Sequence, residues 1–473
     1  MDSFFVEDLS FSNHCYNAKM RNKKQLSQKL KQNRVKPWQF VVFIILGLIL
    51  TAVGIYQIPR VHEVLAWRVA SFRSSILYML KPPEQVSFNP TQQEQMELLV
   101  ASSLTAMAPT LTSTPTPTQI ITPTVTISAT ATITSTPTVT PTAIPQSVQL
   151  NGVVHEYQKF NNCGPANLAM ALSFWGWEGD QFDPAGVIKP KQEDRNTMPY
   201  EMVDYVQNYT GLSAVLRYGG DIDMVKRFIA AGFPVLFERG FDVSGKGWMG
   251  HYGVVTGYDD ATQKVRIPDS YEGPRTMGYD EFYLYWGHFD YVYIIIYPPE
   301  RESEAMSILG PHADVNYNLA KAAEEASNRI FNATERELFF AWYSRGSILA
   351  EMDDYYGAAL AYDEAFRIYN ELPADKATRP WRVTWYHTGP YFAYYYTGRY
   401  YDVISLADQT IEGQQLFGFD FQPAFEETWV WRGRAKLAIG DTSGAIADFQ
   451  EALFWHPDWW VAINELNALG IEP

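Results

Sequence analysis

From Trp38 to Ile58 the chain runs for 21 residues, WQFVVFIILGLILTAVGIYQI, without a single charge. At about 1.5 Å of rise per residue such a run spans the roughly 30 Å hydrocarbon layer of a bilayer, and it reads as one transmembrane helix. Eight Lys/Arg stand against three acids in residues 1–37, whereas the first stretch beyond the run holds only Arg60, Arg68, Arg73 and Lys81. That asymmetry predicts a cytoplasmic N-terminus, with everything after residue 58 outside the cell membrane. The competing reading, a cleaved signal peptide, fits less well: the leader is long, the apolar run exceeds a usual h-region, and no clear small-x-small site follows.

The chain's 473 residues are too many for one compact core, so two or three folded units are expected. The net charge is −16, and because residues 1–37 are basic, the rest of the chain carries more negative charge still. This excludes nucleic acid as a partner for the bulk of the chain. The N-terminal basic run reads as a juxtamembrane flank.

Residues 59–106 form a juxtamembrane segment in which Val61, Leu65, Val69, Phe72, Ile76 and Leu80 recur at helical spacing. Between Leu98 and Val154 there is no charged residue, and residues 107–147 are dominated by Thr and Pro, as in TSTPTPT. Such a segment buries no core. It is expected to be a disordered stalk, extended at roughly 3.1 Å per residue, and a candidate for O-glycosylation.

Globular composition begins near residue 148. In HEYQKFNNCGPANLAMALSFWGW a polar turn leads through Cys163-Gly164-Pro165 into an apolar-periodic stretch, which predicts a helix opening at Cys163. A thiol at a helix N-terminus feels the positive end of the dipole, so a lowered pKa is expected. Gln158, five residues earlier, suits an amide donor to an oxyanion. The bland alternative is that Cys163 is a small buried apolar residue. Cys15 and Cys163 are the two cysteines, and the predicted topology puts them on opposite sides of the membrane, so they do not pair.

A nucleophilic thiol needs an imidazole base and a group to hold it. His251 follows the Gly-rich SGKGWMG turn and opens the strand-like HYGVVTGYD; eighteen residues on, after a second strand KVRIPD, stands Asp269. A hairpin of that length returns Asp269 to the neighbourhood of His251. His288 is the rival base, and Asp269 as a simple turn cap is the rival role for the acid.

Taken together, Gln158, Cys163-Gly164-Pro165-Ala166, Gly232-Phe233-Pro234-Val235 after an amphipathic helix, His251-Tyr-Gly-Val-Val-Thr-Gly-Tyr and Asp269 resemble the bacteriocin-processing (double-glycine-type) cysteine peptidases and their stand-alone relatives. The resemblance covers residues 148–299. It implies an α+β papain-like domain with Cys163 as nucleophile, His251 as base, Asp269 as orienting residue and Gln158 as oxyanion donor. Ser270 stands where that family usually has proline. The best-known members are fused to exporters and cut leader peptides, but this sequence lacks a phosphate loop of the G-x-x-x-x-G-K-[ST] type, and its site is expected to face outward. Exporter function does not carry over.

Residues 300–473 turn helical and repeat. Trp342, Gly346, Ala358, Tyr362 and Ala365, closed by Pro373, are echoed by Trp429, Gly433, Ala445, Phe449 and Ala452, closed by Pro457; a looser copy runs from Trp385 and Gly389 through Gly398 to Ala407, with Val403 where a small residue is usual. The pattern resembles tetratricopeptide repeats within residues 314–457, with Asp458–Leu469 as a capping helix, and implies an all-α solenoid whose groove binds a protein partner or the substrate. No cofactor and no structural metal cluster is indicated by residue spacing.

The expected protein is therefore multidomain: cytoplasmic tail 1–37, transmembrane helix 38–58, juxtamembrane segment, stalk, papain-like cysteine peptidase domain and repeat domain. The expected activity is hydrolysis of peptide or protein substrates, with amidase and acyl-transferase chemistry left open by the same site. The alternative is a catalytically inactive cell-surface binding or scaffold protein.

Overall fold

The computed structural model describes residues 37–58, 72, 76, 88–90, 144–243, 247–375, 377–412 and 425–473. The expected basic tail, most of the juxtamembrane segment and the Thr/Pro stalk up to residue 143 lie outside the described residues. The chain forms two units, Met1–Phe72 and Arg73–Pro473. In the first, α1 runs from Pro37 to Tyr56. Its window Gln39–Tyr56 has a mean hydropathy of 2.4, and side chains such as Phe43 and Leu50 are exposed rather than packed. The helix is long and apolar enough to cross a membrane. Thr51 Oγ1 donates to the Gly47 carbonyl at 2.8 Å, so this hydroxyl is satisfied within the helix.

In the second unit the α+β domain contains β1 (Ser147–Gln149), α2 (Cys163–Ser173), α3 (Phe182–Ile188), α4 (Pro199–Tyr209), β2 (Ser213–Arg217), α5 (Ile222–Ala230), β3 (Val235–Val243) and β4 (Gly247–Val255). It continues with β5 (Gly257–Asp259), β6 (Lys264–Asp269), β7 (Gly273–Gly278), α6 (Tyr279–Trp286) and β8 (Tyr293–Tyr297). Two antiparallel sheets result, with strand orders β2-β8-β3-β4 and β1-β5-β6-β7. Thr256 joins them: its N–H donates to the Arg266 carbonyl at 2.9 Å, and its own carbonyl accepts from the Leu150 N–H at 2.7 Å.

Strand β8, YIIIY, is apolar at every position because both faces of its sheet are covered. Ile294 and Ile296 meet Leu168 and Leu172 of α2 and Met202 of α4; Tyr293, Ile295 and Tyr297 face Phe228 of α5 and Trp286 of α6. The latter core also holds Ala305 and Leu309 of α7 (Glu302–Leu309), so it extends past the boundary expected at residue 299.

The remaining helices are α8 (Val315–Asn332), α9 (Glu335–Glu351), α10 (Tyr355–Glu371), α11 (Val383–Tyr386), α12 (Gly389–Tyr396), α13 (Tyr400–Glu412), α14 (Glu426–Ala438), α15 (Thr442–Trp455) and α16 (Trp460–Ala468). The hairpins α9/α10 and α14/α15 are built alike. Asp354 and Asp441 cap α10 and α15 by accepting from the N–H of Gly357 and Gly444, each at 2.9 Å. A Cβ on Gly346 would lie 2.8 Å from the Tyr362 ring, and one on Gly433 2.6 Å from Phe449, so both helix crossings require glycine. The middle copy differs from expectation. Trp385 sits on the four-residue α11, and its hairpin begins only at α12, eight residues long. Val403 is fully buried, filling the place of the usual small residue.

The helical region packs directly on the α+β domain. Trp248 of β4 stacks on Phe289 at 5.7 Å and lies 5.2 Å from Phe340 of α9, within a hydrophobic cluster that continues through Tyr362 and Tyr394. Arg382 donates to the Trp248 carbonyl at 3.0 Å, and Arg336 grips both oxygens of Asp242.

Candidate active site

Cys163 is the first residue of α2, as its Gly-Pro sequel predicts. The loop before it is pinned by Gln181, whose Oε1 accepts from the Lys159 N–H at 2.7 Å and from Asn162 Nδ2 at 3.1 Å. Asn161 takes a left-handed φ of 56° to enter the helix. The Cys163 sulfur is half-buried between the backbone N–H groups of Tyr252 and Gly164. The expectation of a lowered thiol pKa is corrected here. Burial pushes it up to about 11, outweighing the Tyr252 N–H; Glu238 adds to the rise, and Lys189 and the Gly164 N–H oppose it.

Tyr252 is the residue after His251, and both lie within β4. The strand begins at Gly247 rather than at His251, because Gly247 to Gly250 already pair with β3 in register, placing His251 opposite Arg239. His251 is buried, with Phe241 packed over its ring at 5.1 Å. Its Nε2 donates to Asp269 Oδ2 at 3.1 Å. A carboxylate only accepts, so Nε2 carries the proton and Nδ1 keeps the lone pair.

Asp269 ends β6 and is completely buried. Oδ2 also accepts from Arg239 at 3.0 Å, while Oδ1 accepts from the N–H groups of Tyr271 and Glu272, each at 2.8 Å. Burial would raise this carboxyl, but His251, the Glu272 N–H and Arg239 together hold it well below the usual carboxylate range. His251 is held below its ordinary value by burial, against the pull of Asp269 and with Arg239 adding to the fall. A neutral imidazole next to an ionised acid results.

Gln158 is tied to the same site through Ser270. Asn167 Nδ2 donates to the Cys163 carbonyl at 2.8 Å and to Ser270 Oγ at 2.9 Å; Ser270 Oγ then donates to Gln158 Oε1 at 2.9 Å. With its oxygen held, the Gln158 amide keeps its N–H₂ group for another acceptor. The Gln158 N–H also donates to the Ser270 carbonyl at 2.8 Å.

The rival base, His288, is engaged elsewhere. Trp248 Nε1 donates to its Nδ1 at 3.0 Å, so its Nε2 carries the proton and donates to Glu337 at 3.0 Å, while its ring stacks on Phe340 at 3.8 Å. This histidine joins the two domains.

Four residues around the site were not singled out from the sequence: Arg239, Glu238, Tyr252 and Asn167. Two of them carried a signal, since Glu238-Arg239 interrupts the otherwise apolar start of VLFERGFDV. Glu201, Glu426 and His456 bring one ligand-type atom each within 4.8 Å of one another across the domain boundary, a group no sequence spacing suggests. His456 spends Nδ1 on Glu426 at 3.3 Å and Nε2 on the Val187 carbonyl at 3.1 Å, and Glu201 accepts from the Met198 N–H at 2.7 Å. The His456–Val187 contact joins the two domains.

A thiol at the head of a helix, set against antiparallel strands that carry a histidine–carboxylate pair, defines a domain of the papain-like cysteine-peptidase class. The family described as Peptidase_C39 like matches residues 142–296, the central α+β domain. Among solved structures, the chain is similar to a C39-like peptidase from Bacillus anthracis at 18% identity, covering 32% of this chain and 98% of that one, with a TM-score of 0.27. It is similar at 19% to a double glycine motif protease from an AMS/PCAT transporter in complex with its leader peptide, covering 32% and 94%, with a TM-score of 0.25. Xylellain, a cysteine protease from Xylella fastidiosa, aligns at 18%, covering 33% and 87%, with a TM-score of 0.26. No curated protein matches the chain.

Proposed function

We propose that the chain is a membrane-anchored extracytoplasmic cysteine peptidase that hydrolyses peptide bonds with Cys163, His251, Asp269 and Gln158. The observation that carries this reading is the pairing of His251 Nε2 with Asp269 Oδ2 on the strand residue next to Tyr252, whose N–H meets the Cys163 sulfur. His251 Nδ1 takes the thiol proton as the sulfur attacks the scissile carbonyl carbon. The negative charge forming on the carbonyl oxygen is met by the Gln158 N–H₂ group and the N-terminal end of α2. His251 then gives the proton to the leaving amine, the C–N bond breaks, and an acyl-enzyme remains. Water, deprotonated by His251, attacks that thioester, releasing the acid and restoring the thiol. A thiol held near 11 fits transfer of the proton during attack rather than a stored thiolate.

The apolar α1 supports anchoring, and the basic residues before it support a cytoplasmic N-terminus. The two alike helical hairpins support a tetratricopeptide-type module that recognises a protein partner or the substrate. The test is labelling of the full chain by an iodoacetamide probe, alongside hydrolysis of a peptide library. Labelling at the position of Cys163, read by peptide mapping apart from that at Cys15, and hydrolysis are expected to vanish together in Cys163→Ser, and hydrolysis in His251→Ala with the fold intact. Hydrolysis that survives Cys163→Ser overturns the proposal.

A further inference from the structure

A cavity of about 550 Å³ lies between the α+β domain and the helical region. Tyr218, Phe289, Tyr386, Phe392 and Trp431 give it an aromatic wall, into which Glu238, Asp290, Glu351 and Glu427 are set. Two of these acids are accounted for by neighbours: Tyr218 hydrogen-bonds Glu351, and Tyr200 donates to Glu427 at 2.7 Å. Glu238 likewise shares a hydrogen bond with Tyr252, and Asp290 is the acid with an unpartnered oxygen. Glu238 and Asp290 are 3% and 8% exposed, and they lie close enough for each to disfavour the other's charge.

Asp290 Oδ1 is buried without a hydrogen-bond partner among the described residues, although the Ser344 and Ser347 hydroxyls lie near the carboxyl. The nearby Arg329 favours the charge of Asp290 but makes no hydrogen bond to Oδ1; it donates to the Gly287 carbonyl at 2.8 Å and lies over the Tyr291 ring. His387, 9% exposed, lines the same cavity and also leaves Nε2 without a partner. Its other ring nitrogen is held by the His288 backbone, so Nε2 offers a lone pair. The wall therefore presents acceptors that lack donors, at the high cost such burial carries. Arg434, the arginine of the wall, already has its Nε on Glu465 at 2.7 Å.

The backbone fixes this arrangement. Asp290 and Tyr291 both take left-handed φ values, 58° and 51°, rare for two successive residues that are not glycine. Gly219 and Gly220 hold them by donating to the Asp290 and Tyr291 carbonyls at 2.9 and 3.1 Å. Strain of this kind persists where the surroundings demand it, and it commonly marks a ligand clamp.

The cavity reaches the site through Glu238: Gln158, Cys163, His251 and Asp269 do not line it, and the link runs across the β3–β4 pair. Tyr252 has its backbone N–H on the Cys163 sulfur and its side chain hydrogen-bonded to Glu238, which pairs with it across β3 and β4. We propose that this cavity is a specificity subsite that receives the cationic side chain, lysine or arginine, of a peptide substrate, with Asp290, Glu238 and His387 Nε2 accepting its N–H groups and the aromatic wall enclosing its stem. The match is one of number and sign: an ammonium brings three donors and no acceptor, and aromatic faces favour a cation. The helical region thereby supplies half of the substrate site. The substrate class rests on the peptidase reading; the cation site does not.

The test uses the full chain in detergent and short capped peptides in which each position in turn is Lys, norleucine or Glu. The intact protein is expected to cleave peptides with one basic residue at a fixed position at least roughly tenfold faster than their norleucine counterparts, a preference that collapses in Asp290→Asn and in Glu238→Gln. Binding to Cys163→Ser reads the same preference without turnover, and the lysine–norleucine comparison needs no cavity variant to fold. Cleavage indifferent to a basic residue overturns the subsite and leaves the peptidase standing. Binding of lysine peptides that Asp290→Asn abolishes, with no cleavage by the intact protein, upholds the subsite and overturns the peptidase. Spermidine binding as tightly as the best lysine peptide overturns the assignment to peptides.

Discussion

His251 Nε2 lies 3.1 Å from Asp269 Oδ2, an oxygen that also receives Arg239 at 3.0 Å. Arg239 is 1% exposed, so the carboxylate has two duties: it orients the imidazole and neutralises a buried cation. Asp269→Ala is expected to remove activity and also to cost about 3–5 kcal/mol of stability, by leaving Arg239 buried and unpaired. Adding Arg239→Met should restore most of the stability and none of the activity. Denaturant melts of the full chain read the first effect and peptide hydrolysis the second; a single Asp269→Ala variant of unchanged stability would refute the shared role.

The thiol, held near 11, makes a kinetic prediction. Alkylation of Cys163 by iodoacetamide in the absence of substrate should keep rising above pH 9, since only the thiolate reacts. A plateau reached by pH 7 would mean a stored thiolate–imidazolium pair instead. Stability should respond to acid through His251 and Asp269, both with lowered values in the folded state. The unfolded chain then takes up protons first, near pH 6.5 for the histidine and near 3.9 for the acid. Stability from each group is full above those values and declines as pH falls through the lower folded ones.

His288 separates structure from chemistry. Its two ring nitrogens link Trp248 to Glu337. His288→Ala orphans the buried Trp248 Nε1–H and should cost about 1–3 kcal/mol with kcat retained. His251→Ala should do the reverse. A variant of His288 that folds normally and loses turnover would return it to the site as the base.

Much of this site was legible in the sequence, for identifiable reasons. Cys163 opens a helix because Pro165 is tolerated in the first turn and the apolar residues after it recur at helical spacing. Asp269 returns to His251 because KVRIPD forms β6 within the bounds its alternation implies. The thiol's pKa was not legible: a helix N-terminus lowers it, but how deeply the sulfur is buried depends on β3 and β4, distant in sequence. The same holds for Arg239, whose partner is 30 residues away. The cavity was the least legible feature, because its acids come from β3, the turn before β8, and helices α9 and α14.

Asp290 offers a pH test of the cavity wall. Burial pushes its carboxyl up to about 7 in the folded chain, whereas in the unfolded chain it ionises near 3.9. A raised folded value means its contribution is intact below the unfolded value and is lost as pH rises through about 7. Asp290→Asn cannot ionise, and asparagine tolerates the left-handed φ of 58°. The variant should therefore melt higher than the unmodified protein at pH 8 and differ little from it at pH 4. Equal melting temperatures across that range would show that Asp290 is already neutralised by a charge within the fold.

Gln158 acts through an amide whose orientation is set by others. Ser270 has one proton, and because Asn167 donates to its oxygen, that proton goes to Gln158 Oε1. The N–H₂ end is left for another acceptor, and on the proposed role as oxyanion donor Gln158→Ala should lower kcat by about 10²- to 10³-fold with KM little changed. Ser270→Ala keeps the amide but frees it to rotate. Its loss should be smaller, roughly tenfold, and again confined to kcat, because the donor is still present and only its preorganisation is gone. In the double variant Gln158→Ala/Ser270→Ala the serine should add nothing further, since it works only through the amide. Additive losses would instead assign Ser270 a role of its own on α2, through Asn167 and the Cys163 carbonyl.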